Sequence, residues 1–162
     1  MAEIIKIYSE PISAVRFIGK KYGDKDRVDG AFGVYWGQWF EEGLFDTLEA
    51  LGTPEGWNAG YIGLMRAPNG EFEYWIGVFT PAGSQIPEGY DFIDFDAGKL
   101  GVCHVYGKEH EVFMHEGECC DRLKAEGFEV VEDACFECYV CPRFTTPDEK
   151  GNIILDVCFW VK

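Results

Sequence analysis

The chain has 162 residues, 47% of them hydrophobic and 16% aromatic, with a formal net charge of −15. That length and apolar content suit one globular domain with a substantial core and exclude a disordered chain. The charge excludes counterion release on a phosphate backbone as a binding force, and no apolar run reaches the length of a membrane-crossing helix. Neither nucleic acid nor a membrane is therefore an expected partner.

The N-terminal stretch MAEIIKIYSEP sets Glu3, Lys6 and Glu10 around a very short apolar run. It lacks the basic start, apolar middle and small-residue cleavage site of an export signal, so a cytoplasmic location is expected. Residues 14–22, AVRFIGKKY, read as a strand, and residues 23–31 as a polar loop with turn residues. In residues 32–51, Phe32, Trp36, Phe40, Leu44 and Leu48 recur four apart, with Trp39, Phe45 and Leu51 beside them. That period predicts an amphipathic helix, which GTPEG stops with Gly then Pro.

Two strands follow, WNAGYIGLM (57–65) and FEYWIGVF (72–79), joined by a turn. The second is apolar almost throughout, which predicts cover on both faces. Residues 80–98 carry Pro, Gly and acids and read as a connection with some extended structure. The pattern then restarts: a strand over 99–107, a weaker helix over 109–126, a strand over 128–142, a turn, and a last strand over 153–161. Strand–helix–strand–strand thus occurs twice, without a sequence repeat of fixed period. The apolar strand 153–161 is a candidate edge for pairing with a second copy; oligomeric state is otherwise open.

Seven cysteines in a chain without an export signal argue against a disulfide framework. The stretch ACFECYVCP (134–142) spaces Cys135, Cys138 and Cys141 three apart. Zinc wants four converging ligands, and on a strand Cys138 points away from the other two. A redox Cys-x-x-Cys wants a helix N-terminus after its first thiol, and none is predicted there. Cys103 and His104 are strand neighbours that face opposite ways, which disfavours Cys–His catalysis. No metal and no cofactor is expected.

Carboxylates beside rings are the stronger signal. Glu73 lies two residues before Trp75, and Glu137 two before Tyr139, so each acid shares a strand face with its ring. An acid in an apolar strand must be solvated, paired or set in a cavity. Arg143 is a nearby candidate partner for a structural ion pair; a ring-lined pocket is the functional alternative. Such an acid could balance a lipophilic cation, or exchange protons near neutral pH if its pKa is raised.

Four segments together resemble the GyrI-like small-molecule-binding domains. AVRFIGKKYG is similar to the family's opening strand, and FEYWIGVF to its central strand with the Glu. IDFDAGKLGVCHVYG is similar to the passage into its second half. FECYVCPRFTTPDEKGNIILDVCFWV is similar to its closing Phe-Glu-x-Tyr strand, turn and terminal strand. The resemblance implies an α+β fold over residues 1–162 as a single domain, with pseudo-repeats at about 1–80 and 98–162. Duplicated strand–helix–strand–strand modules would form a curved antiparallel sheet with two helices and a central ligand channel. Family members include effector domains of multidrug-sensing regulators, a gyrase-inhibiting protein, and stand-alone proteins. Some of the last open the cyclopropane ring of DNA-alkylating compounds. The Trp36-Gly-Gln-Trp39-Phe40 helix, FEYWIGVF and Cys141-Pro-Arg-Phe are most similar to that group. No DNA-binding helix-turn-helix is present in the sequence.

Two functions are expected from this resemblance. As a hydrolase, the protein would stack a planar electrophile against Trp36, Trp39, Phe40, Trp75 and Tyr139. Glu73 or Glu137 would be general base, with the other acid or a phenol such as Tyr106 assisting the developing oxyanion. As a binder, it would sequester a small aromatic or cationic ligand with Glu137 as counter-charge and no turnover.

Overall fold

The computed structural model describes residues 1–57 and 60–162. Among the described residues, eight strands form one antiparallel sheet in the order β1-β6-β8-β7-β3-β4-β2-β5. The strands are β1 (Glu3–Ile12), β2 (Val15–Gly23), β3 (Gly60–Arg66), β4 (Glu73–Pro81), β5 (Asp91–Phe95), β6 (Gly98–Gly107), β7 (Val130–Val140) and β8 (Ile153–Val161). The α-helices α1 (Gly33–Glu41), α2 (Leu44–Glu49) and α3 (Glu116–Ala125) lie on one face.

Replacing each of the first four strands by its counterpart four later, and the reverse, reads the strand order backwards. The sheet is therefore two-fold pseudosymmetric about its central β3–β7 pair. Each half is the expected strand–helix–strand–strand unit, preceded by one further strand that pairs with the other half. β1 lies on β6, and β5 lies on β2. The expected reading had no β1. It also placed an edge at 153–161, whereas β8 lies between β6 and β7 and the edges are β1 and β5.

Those exchanged strands curl the sheet. β1 and β2 sit six strand spacings apart, about 29 Å if the sheet were flat. Only Ser13 and Ala14 connect them, a reach of about 11 Å. The two ends must therefore approach, and Asp96–Ala97 imposes the same closure between β5 and β6. All eight strands send side chains inside the curl, where Phe17, Leu64, Trp75, Phe79, Phe136 and Cys158 form one apolar cluster.

The opposite face carries two separate clusters. One gathers Trp39, Phe45, Leu48, Tyr74 and Ile76 under α1 and α2; the other gathers Cys103, Cys119, Leu123, Leu155 and Val157 under α3. β4 is covered on both faces, as its unbroken apolar run predicts. The helix expected over 32–51 is broken at Gly43, whose φ of 67° no helix accepts, so the apolar phase restarts in α2. Phe40 consequently turns outward and is 60% exposed. The helix expected over 109–126 begins only at Glu116. Asn58 and Ala59, part of the expected strand 57–65, lie outside the described residues.

Candidate functional site: a ring-walled cleft over the central strand pair

Between the α1–α2 cluster and the α3 cluster, the helix face of the sheet is floored by β3 and β7. Their ladder runs from Gly60↔Val140 to Arg66↔Ala134, with Gly63↔Glu137 as its middle pair. Alternation turns Cys135, Glu137 and Tyr139 of β7 toward the helices, and Phe136, Cys138 and Val140 into the curl. The thiols of ACFECYVCP are divided accordingly: Cys135 lies on one face, Cys138 on the other, and Cys141 is exposed beyond the strand.

Glu137 is buried, with 6% of its surface exposed. Tyr139 donates a hydrogen bond to its Oε1 at 3.1 Å. The Tyr139 hydroxyl also contacts the hydroxyl of Tyr74 from β4, and Trp36 Nε1 donates to that Tyr74 oxygen at 2.8 Å. A polar chain thus runs from Trp36 on α1 through two phenols to Glu137. Gly63 makes room for it. A β-carbon there would stand 2.6 Å from the Tyr74 hydroxyl and 3.3 Å from that of Tyr139.

The walls are rings. Trp36 meets Tyr139 edge-on at 4.8 Å, and Phe144 lies 4.8 Å from the same ring on the α3 side, with Phe113 beyond. On the α1–α2 side, Tyr61 stacks on Phe45 at 3.7 Å, and Phe40 covers Tyr61 at 5.8 Å. Tyr61 and Tyr139 also line a cavity of about 430 Å³ with Leu48, Val78, Trp57 and Cys141. A space of that size suits a small organic molecule, and of Glu137, Tyr139, Tyr74 and Trp36 it is Tyr139 that borders it.

Burial first, and then the negative charge of Glu116 on α3, push the Glu137 carboxyl up to about 8, and the Tyr139 hydrogen bond only partly offsets them. Burial and the nearby Glu137 also hold the Tyr139 phenol well above its ordinary value. Burial carries the Cys135 thiol to about 12, so it is no nucleophile at neutral pH.

Glu137, Tyr139, Trp36 and Phe40 are therefore brought together, and the other expected site residues are not. Glu73 and Trp75 belong to the other side of β4. Trp75 is buried inside the curl, and Glu73 accepts from its Nε1 at 3.0 Å while pairing with Arg66 at 2.7 Å and Lys21 at 3.8 Å. Burial alone would raise the Glu73 carboxyl, but the Trp75 and Arg66 hydrogen bonds and the charges of Arg66 and Lys21 hold it below its ordinary value. Trp39 is fully buried under α1, donating to Tyr22 at 3.0 Å. Tyr106 is hydrogen-bonded to Asp148 in the β7–β8 connection. Arg143, the suggested partner for Glu137, instead grips Asp156 at 2.8 and 2.5 Å.

Tyr74, Tyr61, Gly63 and Glu116 escaped sequence reasoning. Tyr74 lies between Glu73 and Trp75, but a strand buried on both faces has no polar alternation to say which parity meets the ligand.

Neither a protein-family model nor a curated protein sequence matches the chain. Solved structures do match over nearly its whole length. A putative bacterial transcription regulation protein from Staphylococcus aureus MU50 has a TM-score of 0.68 at 19% identity, covering 98% of this chain and 99% of the other. SAV2435, solved bound to tetraphenylphosphonium, has a TM-score of 0.70 at 18% identity, covering 98% and 94%. A hydrolase from Listeria innocua has a TM-score of 0.54 at 9% identity, covering 97% and 92%. The chain thus shares the fold of these proteins over nearly its whole length, which is consistent with the GyrI-like fold that its sequence resembles. No helix among the described residues is long and apolar enough to cross a membrane.

Proposed function

We propose that the protein binds a small aromatic cation in the cleft between α1 and α3, with Glu137 as its counter-charge. The observation that carries this reading is a buried carboxyl, ringed by Trp36, Tyr74 and Tyr139, with no ion-pair partner among the described residues. A cation placed there gains the charge of Glu137 at short range and the faces of the surrounding rings. The net charge of −15 draws cations toward the protein and repels nucleic acid. The similarly folded SAV2435 was solved with a lipophilic cation, which supports the same ligand class here. Calorimetric titration with tetraphenylphosphonium tests it: saturable binding that Glu137→Gln weakens is expected. Binding that Glu137→Gln leaves intact would remove Glu137 from the site.

A second reading is turnover. It is favoured by the hydrogen-bonded Tyr139–Glu137 pair, in which a carboxyl with a pKa of about 8 can exchange protons near neutral pH. For a cyclopropane conjugated to a carbonyl, ionised Glu137 would take a proton from water while the water oxygen bonds to a ring carbon. The electrons of the broken carbon–carbon bond would pass to the carbonyl oxygen, with a phenol donating to it, and the product would no longer alkylate DNA. Incubation with a cyclopropane-bearing alkylator and mass analysis tests this. A product heavier by one water is expected from wild type and absent with Glu137→Gln; protection that stops at one equivalent would leave a binder.

A further inference from the structure

A second carboxylate lies beside Glu137. Glu116 is the first residue of α3, and α3 is fixed over β7 by Cys119, Cys120 and Leu123, which pack in one cluster with Cys135. That packing sets the Glu116 carboxyl beside Glu137, Cys135 and Tyr74, close enough for its charge to act on all three. The remaining groups around Glu137 are Tyr139 and Cys135 from β7, Tyr74 from β4, and the indole of Trp36 from α1. None is a cation. His115, next to Glu116 in the chain, is engaged elsewhere, with its Nδ1 on Glu118 at 3.1 Å and its Nε2 on the Glu111 carbonyl at 2.8 Å. Neither Glu116 nor Glu137 forms an ion pair among the described residues. A negative charge held beside a buried carboxyl favours that carboxyl's neutral form, because ionising it there meets strong repulsion.

We propose that Glu116 is a positioning residue that keeps a proton on Glu137 in the empty cleft, so that uptake of a fixed cation expels that proton to solvent. The exchange balances: the neutral Glu137 carboxyl loses one proton to the buffer, and the carboxylate left behind takes the cation as its counter-ion. Ligand binding thereby becomes proton-coupled. The proposal rests on the reading of the cleft as a cation site.

Two experiments test it. In the ligand-free protein, the carboxyl carbon of Glu137 is titrated by NMR in wild type, Glu116→Gln and Glu116→Ala. The alanine variant leaves no amide that could donate to Glu137, so it isolates the loss of charge. In both variants the midpoint is expected to fall by about one pH unit or more. An unchanged midpoint would overturn the proposal, whether or not any cation binds. The second experiment titrates tetraphenylphosphonium calorimetrically at pH 7 in two buffers of different ionisation enthalpy. Wild type should release close to one proton per cation, and both variants clearly fewer. Equal release from all three would also overturn it. Failure of tetraphenylphosphonium to bind wild type even at pH 9 would instead remove the cation reading, and the NMR titration would still decide the carboxyl pair.

Discussion

Gly63 and Glu137 face each other as the middle pair of the β3–β7 ladder, and the side chain missing from one leaves the space in which Tyr139, hydrogen-bonded to the other, meets the phenol of Tyr74. The centre of pseudosymmetry is therefore chemically asymmetric. One half supplies the acid, and the other supplies the room.

Glu137→Gln keeps the shape of the side chain and removes its charge. Affinity for tetraphenylphosphonium should fall about tenfold or more, because a desolvated counter-charge is lost. Calorimetry on the two proteins measures it.

The pH dependence of binding has a definite sign. A carboxyl with a pKa of about 8 is neutral below that pH and must ionise to hold a cation. Affinity should rise about tenfold per pH unit below 8 and level off above it. A profile that is flat between pH 6 and 9 would contradict it.

The same group links stability to pH in the opposite sense. A carboxyl raised from 4.5 to about 8 on folding contributes stability that is complete below pH 4.5 and is lost as pH rises through 8. Between pH 6 and 9 the wild-type Tm should fall relative to that of Glu137→Gln. Thermal melts of both proteins across that range provide the comparison.

Gly63→Ala places a methyl group against the Tyr74 hydroxyl, which Trp36 holds in place. The tyrosine ring has no flexible end to yield, so the variant should lose about 1–3 kcal/mol of stability. It should also weaken ligand binding, because the Tyr74–Tyr139 contact is displaced. Denaturant melts and calorimetry separate the two effects.

Glu73→Gln serves as the contrasting acid. Glu73 is held below its ordinary pKa, so its contribution is present above pH 4.5 and is lost as pH falls through its folded value. The variant should flatten the acid limb of the stability profile and leave tetraphenylphosphonium affinity unchanged. A weakened affinity would place Glu73 in the ligand's path after all.

Much of this was legible in the residues themselves. Period-two and period-four patterns located six of the eight strands, and the helical regions, because burial of an apolar face imposes those periods on any chain, while β5 was read only as extended structure within a connection. Alternation alone separated Cys138 from Cys135 and put Glu137 beside Tyr139. Tertiary structure decided the rest. β1 was missed because its residues alternate weakly, and its place is fixed by pairing with β6 across the exchange of strands. Glu73 and Glu137 look alike in sequence, each two residues before a large ring. Their strands, however, turn opposite parities toward the helices, so one acid meets Arg66 and the other meets Glu116. Sequence specified which side chains share a strand face; only the packing of helices on the curled sheet determined which face became the cleft, because that depends on what lies above each strand and not on the strand itself.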